Sequence, residues 1–224
     1  MKMYLEIGIC FLLYLLLGLF IVLRTAAVGN LFFAWNVFLA FLPLLFARTL
    51  SRYMVRDTRK TGVIILLAAL WLLFFPNAPY MVTDLLYFGN TTYIGINGYT
   101  TNVLAWVKLV YIGFGVLFGA LLGLRSFYEM HRIILKHKGK KMAYAAILVT
   151  SLLSGFAIYI GRILRFNSWD VLRPLSLLAR LKEELSGFSA AFSLLFAVYT
   201  LGSYALFYIL VHRIHKESET DSHE

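Results

Sequence analysis

Apolar residues in this chain come in long uninterrupted runs, separated by short stretches where charges crowd together. Residues 7–23, 62–80, 142–160 and 188–211 contain no Asp, Glu, Lys or Arg. Each approaches the roughly 20 apolar residues that a helix needs to cross a hydrocarbon layer about 30 Å thick. With the less uniform runs between them, the pattern predicts six spans, at 4–23, 31–47, 62–80, 102–124, 142–161 and 188–211. The second is short and carries Asn36 and Pro43, so a tilt or kink is expected there. The first run is longer than the roughly 7–15 apolar residues of a signal peptide, and no small-x-small cleavage site precedes Arg24, so it reads as a retained helix. The predicted fold class is all-α: a polytopic transmembrane bundle of about six spans over residues 1–211, with short external interfacial helices. Residues 212–224 are polar and lack apolar periodicity, and are expected to form a disordered tail.

Composition agrees with the runs. Of 224 residues, 61% are hydrophobic and 14% charged, where a soluble domain carries about a quarter charged. The net charge of +10 would suit nucleic acid, but the basic residues sit beside the spans as topology signals do, so no nucleic-acid partner is expected. Alternating sides through six spans places 14 Lys and Arg on one face and 7 on the other. The richer face, with segments 48–60 and 125–141, is expected to be cytoplasmic, which puts both termini inside. Segment 81–101 has no Lys or Arg and is rich in Tyr, Thr, Asn and Gly, as an external loop with an interfacial aromatic edge would be. Cys10, the single cysteine, can form no internal disulfide. His131, His137, His212 and His215 have no carboxylate or cysteine company at ligand spacing, so neither a metal site nor a cofactor is predicted.

Small residues four apart give a packing signal. Gly115, Gly119 and Gly123 form two consecutive GxxxG units, and Ser151/Gly155 and Ala157/Gly161 repeat the spacing in the fifth span. Such stripes let helices approach closely where lipid supplies no hydrophobic drive, and internal bundle packing is the expected use.

Candidate chemistry collects in two segments on the external side. In Phe75-Pro-Asn-Ala-Pro-Tyr-Met-Val-Thr-Asp84, Pro76 and Pro79 remove two backbone donors, so the third helix should kink or end. Residues 79–88 then read as a short interfacial helix carrying Thr83 and Asp84, with Asn77 or Ala78 near its cap. In Gly161-Arg-Ile-Leu-Arg165-Phe-Asn167-Ser-Trp169-Asp170, Arg162 and Arg165 are three apart and would share one helix face. Leu175, Leu178, Leu181 and Leu185 follow at helical spacing, as in an amphipathic surface helix. Arginine's planar donor fork suits a phosphate or carboxylate. Asn77, Tyr80, Thr83, Arg162, Arg165, Asn167 and Trp169 are therefore the candidate binding residues, and Asp84 and Asp170 the candidate bases. The competing reading is an ion-pair clasp that fastens the two segments together.

Phe75-Pro-Asn-Ala-Pro-Tyr-x-x-Thr-Asp84-Leu-Leu and Gly161-Arg-x-Leu-Arg-x-Asn-Ser-Trp-Asp170 resemble the hallmarks of a bacterial membrane family catalogued as domain of unknown function 1361. The resemblance runs from about the second span to the sixth. It implies a multi-spanning protein of the bacterial cytoplasmic membrane and assigns no activity.

Three functions fit these features. The external loops could hold an anionic lipid-linked or polyprenyl-phosphate substrate, for catalysis or handling, at the outer leaflet. A small-solute transporter would need a polar path, for which Asn36, Lys108, Thr150 and Ser154 are the available residues. A non-catalytic membrane subunit or envelope assembly factor would use the motifs only as clasps. Membrane lipids are the partners common to all three.

Overall fold

The computed structural model describes residues 2–55, 60–91, 93–95, 98–166 and 184–220. Among these residues it is helical almost throughout, and five helices are long and apolar enough to cross a membrane. Helix α1 is Lys2–Thr25 and α2 is Leu31–Tyr53, longer than the span predicted for it. Helix α3, Thr61–Phe74, leads through a one-turn helix α4, Asn77–Tyr80, into a 3-10 helix, Met81–Asn90. A two-stranded hairpin, β1 Ile94–Gly95 and β2 Gly98–Tyr99, follows. Helix α5 is Val103–Arg162 and helix α6 is Gly187–Thr220.

The 60 residues of α5 would be about 90 Å long if straight, three times the thickness of a hydrocarbon layer. They fold back instead. Gly139 has φ 82° and ψ 174°, a conformation that only glycine adopts readily. The rings of His131 and Tyr144, thirteen positions apart, lie with centroids 5.7 Å from each other, where a continuous helix would hold them about 20 Å apart. The helix is thus a hairpin with arms 103–138 and 140–162, which makes the two spans predicted at 102–124 and 142–161.

Helix α2 is central. Phe33, Ala34, Val37, Ala40, Leu44 and Ala47 are buried at helical spacing, and Pro43 is buried inside the helix. Helix α1 buries only a narrow stripe, including Tyr14 and Ile21, and exposes Leu5, Leu12, Leu16 and Leu23 outward. One apolar cluster joins Tyr14, Val37, Met81 and Tyr111; a second joins Trp71, Phe75, Phe127, Ile147 and Tyr204.

The glycine stripes are internal packing surfaces. A side chain at Gly115 would strike the Tyr14 hydroxyl, one at Gly18 the Tyr111 hydroxyl, and the two tyrosine rings stack with centroids 4.5 Å apart. Further along the stripe, Gly119 receives Met81 and Gly123 receives Ala78. Gly155 lies against the backbone of Ser193 and Ala197 on α6. Close approach at these positions builds the bundle itself, as small-residue spacing permits.

Two expectations change. The polar stretch from 212 is helical as far as Thr220, since Val211–Thr220 contains neither glycine nor proline to stop α6. Residues 79–88 do not form a separate surface helix. Phe75, Pro76, Tyr80 and Met81 all keep right-handed helical dihedrals, so the chain coils on from α3 while its hydrogen bonding tightens. The amphipathic pattern from Leu175 to Leu181 lies outside the described residues.

Candidate functional site

The broken end of α3 is explained by its prolines. Pro76 and Pro79 cannot donate to the carbonyls four residues earlier, so the regular ladder fails there. The Ala78 amide takes the Phe75 carbonyl at 3.1 Å, and the Asn77 side-chain amide donates to the Phe74 carbonyl at 2.8 Å. Beyond this point the chain continues as a ten-residue 3-10 helix. Such runs rarely exceed three or four residues, and this one persists because its side chains are held from outside.

Arg162, the last residue of α5, is what holds it. Its Nη2 donates to Oδ1 of Asp84 at 2.6 Å, and its Nε donates to Oγ1 of Thr83 at 2.8 Å. Nη2 also contacts Thr83 Oγ1. The Tyr87 hydroxyl lies 3.5 Å from Nη1. The guanidinium stacks over the Tyr80 ring, 4.3 Å from its centroid. Thr83 in turn donates its hydroxyl to the Tyr80 carbonyl at 2.7 Å, and Asn36 donates from α2 to Oδ2 of Asp84 at 2.8 Å. Three elements therefore meet at one carboxylate. Asp84 is wholly buried and the Arg162 side chain is 15% exposed.

The centre lies within the bundle. Asn36 is twelve positions before Arg48 on α2, so it stands about 18 Å above the arginine-rich end. A buried charge at that depth survives only when paired and hydrogen-bonded, and Asp84 meets both conditions.

Of the predicted site residues, Tyr80, Thr83, Asp84 and Arg162 come together. Asn77 is engaged by the local backbone one turn earlier. Arg165 does not share a face with Arg162, because α5 ends at Arg162 and the helical spacing ends with it. The amide of Phe166 reaches the Ile160 carbonyl at 3.2 Å, leaving Arg165 exposed in a left-handed backbone with φ 60°. Asn167, Trp169 and Asp170 lie outside the described residues. Tyr87 and Asn36 are site residues that the motif reading did not include. Tyr80, Thr83, Asp84 and Tyr87 stand at the i, i+3, i+4, i+7 spacing of one helix face, and Asn36 is a polar residue in an apolar span; these were the available signals.

No group of three or more His, Cys, Asp or Glu suited to a metal ion occurs among the described residues. No curated protein and no solved structure matches the chain. A family model described as "Protein of unknown function (DUF1361)" matches residues 35–202, which contain both proline-broken and arginine motifs. That match covers most of the chain, from within α2 to within α6, and the chain, with its several helices long and apolar enough to cross a membrane, belongs to this family of unknown function.

Proposed function

We propose that this protein holds the anionic head group of a lipid-linked substrate, of the polyprenyl-phosphate class, at the end of α5. Arg162 and Arg165 are the phosphate ligands in this reading. The site faces the outer leaflet of a bacterial cytoplasmic membrane, with both termini on the opposite side. The observation that carries it is the state of the Arg162 guanidinium. One edge is fixed by Asp84 and Thr83, while among the described residues Nη1 reaches only the Tyr87 hydroxyl, at 3.5 Å. A guanidinium locked on one edge and open on the other is pre-organised for a second anion, and loses little freedom on binding it. Arg165 adds an exposed cation on strained backbone three residues away, as ligand clamps often do.

Asp84 acts here as a positioning residue rather than a base. Each of its oxygens already accepts a hydrogen bond and its side chain is closed to solvent, so an incoming hydroxyl has no path to it. Any general base belongs with Asp170. Asn36, the α2 residue considered for a solute path, is engaged by Asp84, which weakens the transporter reading.

A second reading rests on the same network: most of the Arg162 donors point inward, as a clasp in a non-catalytic subunit would require. Titration of the purified protein in nanodiscs with a polyprenyl phosphate and the matching neutral polyprenol separates the two. The proposal expects saturable binding of the phosphate alone. Equal binding of the two compounds, or of neither, contradicts it.

A further inference from the structure

The opposite end of the bundle carries a second concentration of arginine. Arg125 Nη2 and Arg48 Nη2 both approach Oε1 of Glu129, at 2.7 Å and 3.4 Å. Arg48 and Arg52 flank the Tyr4 ring of α1, 5.8 Å and 5.7 Å from its centroid. Arg125 and Arg132 stand over Tyr128 at 5.5 Å and 5.8 Å. Two guanidinium groups, one on α2 and one on the first arm of α5, thus share one carboxylate, and two more stand beside the neighbouring tyrosines.

A topology signal requires positive charge here, but not this construction. Charge at the hairpin tip is supplied by exposed lysines, Lys136, Lys138, Lys140 and Lys141. The residues near Glu129 are arginines set over tyrosine rings, Arg48 and Arg125 partly buried and Arg52 and Arg132 exposed. Arg48 is the most telling. Its side chain is only 21% exposed, and among the described residues its one ion pair is the long contact to Glu129. Its Nε is covered and has no hydrogen-bond partner among the described residues. A guanidinium carries five donors and stays charged, so Arg48, weakly paired through Nη2 and still partly exposed, has donor capacity left for an acceptor from outside the chain.

The geometry points to a binding site for a phosphate ester between α2 and the first arm of α5, at the end of the bundle remote from Asp84. The source favoured by its place is the head group of an anionic phospholipid in the adjoining leaflet. Arg48 and Arg52 would hold phosphate oxygens from one side and Arg125 from the other. This site is independent of the function proposed for Arg162 and Arg165.

The test uses the purified full chain in neutral detergent, with melting followed by tryptophan fluorescence and bound lipid counted by native mass spectrometry. Phosphatidylglycerol should stay bound and raise the melting temperature by several degrees, whereas phosphatidylcholine should do neither. Changing Arg48→Gln and Arg52→Gln together should raise the half-saturating phosphatidylglycerol concentration at least tenfold. Changing Lys138→Gln and Lys140→Gln, which removes the same charge from the loop tip, should leave it unaltered. Sodium glycerophosphate, if it reproduces the effect, identifies a soluble ester as the ligand of the same site; if inert, it identifies the lipid. Should the double Gln variant not fold, Arg48→Lys with Arg52→Lys keeps the charge but loses the planar fork, and should bind several-fold more weakly. An equal response to phosphatidylcholine, equal weakening by the loop pair, or undiminished binding by the lysine variant overturns the site.

Discussion

Nη2 of Arg162 lies 2.6 Å from Oδ1 of Asp84, across 78 residues of sequence. The contact ties the last turn of the α5 hairpin to the 3-10 continuation of α3, and its consequences are measurable. Arg162→Gln leaves a fully buried carboxylate with Asn36 and no cation. Loss of one partner from a buried pair costs about 3–5 kcal/mol. Combining it with Asp84→Asn removes both charges, so the double variant should be less destabilised than the sum of the singles. Unfolding free energies from a double-mutant cycle check this, and simple additivity would contradict it.

Asn36 is the quieter partner. Asn36→Leu keeps the side chain's volume close and takes away the donor to Asp84 Oδ2. Asp84 keeps Arg162, so the expected loss is smaller, about 1–3 kcal/mol. The ordering Arg162→Gln worse than Asn36→Leu is the outcome to look for in the same unfolding assay.

The glycines should separate by what faces them. At Gly155 an added methyl meets the Ser193 carbonyl and the Ala197 amide, which cannot move without shifting α6. At Gly119 it meets the flexible end of Met81, and at Gly113 it meets open space. Gly155→Ala should therefore cost the most, about 3 kcal/mol or more, and Gly119→Ala about 1 kcal/mol. Gly113→Ala should be neutral or gain up to about 1 kcal/mol from helix propensity. Melting temperatures of the three variants rank them directly.

Much of this bundle was legible because lipid permits few solutions. A run of about 20 apolar residues without charge has to be a helix, which fixed the spans and suggested which glycines face neighbours. The centre was legible in part. Pro76 and Pro79 announced a kink or an end, and the polar residues after them announced something worth burying, yet residues 79–88 were read as a separate interfacial helix. Two missing donors break a hydrogen-bond ladder without forcing the dihedrals out of the helical basin, and the network around Arg162 sustains the tighter coil. Arg165 was misplaced for the converse reason: its spacing from Arg162 means one face only while the helix lasts, and the helix stops between them. The approach of Asn36 to Asp84 is a long-range contact that no local pattern encodes.

The hairpin turn offers a separate check. Gly139→Ala places a side chain at φ 82°, ψ 174°, where only glycine is comfortable, at a cost of about 1–3 kcal/mol. The site lies at the far end of the second arm, so phosphate binding should be unchanged while the melting temperature falls. Cysteines substituted for His131 and Tyr144 should still cross-link in the wild-type background, as a reversal at Gly139 requires.

The most direct test of the phosphate site uses Arg165, which is exposed and outside the network that holds the bundle together. Arg165→Ala should leave the melting temperature unchanged and weaken binding of a polyprenyl phosphate in nanodiscs at least tenfold. Unaltered affinity in a protein of unaltered stability would contradict the account, and would leave Asp84 and Arg162 as a clasp.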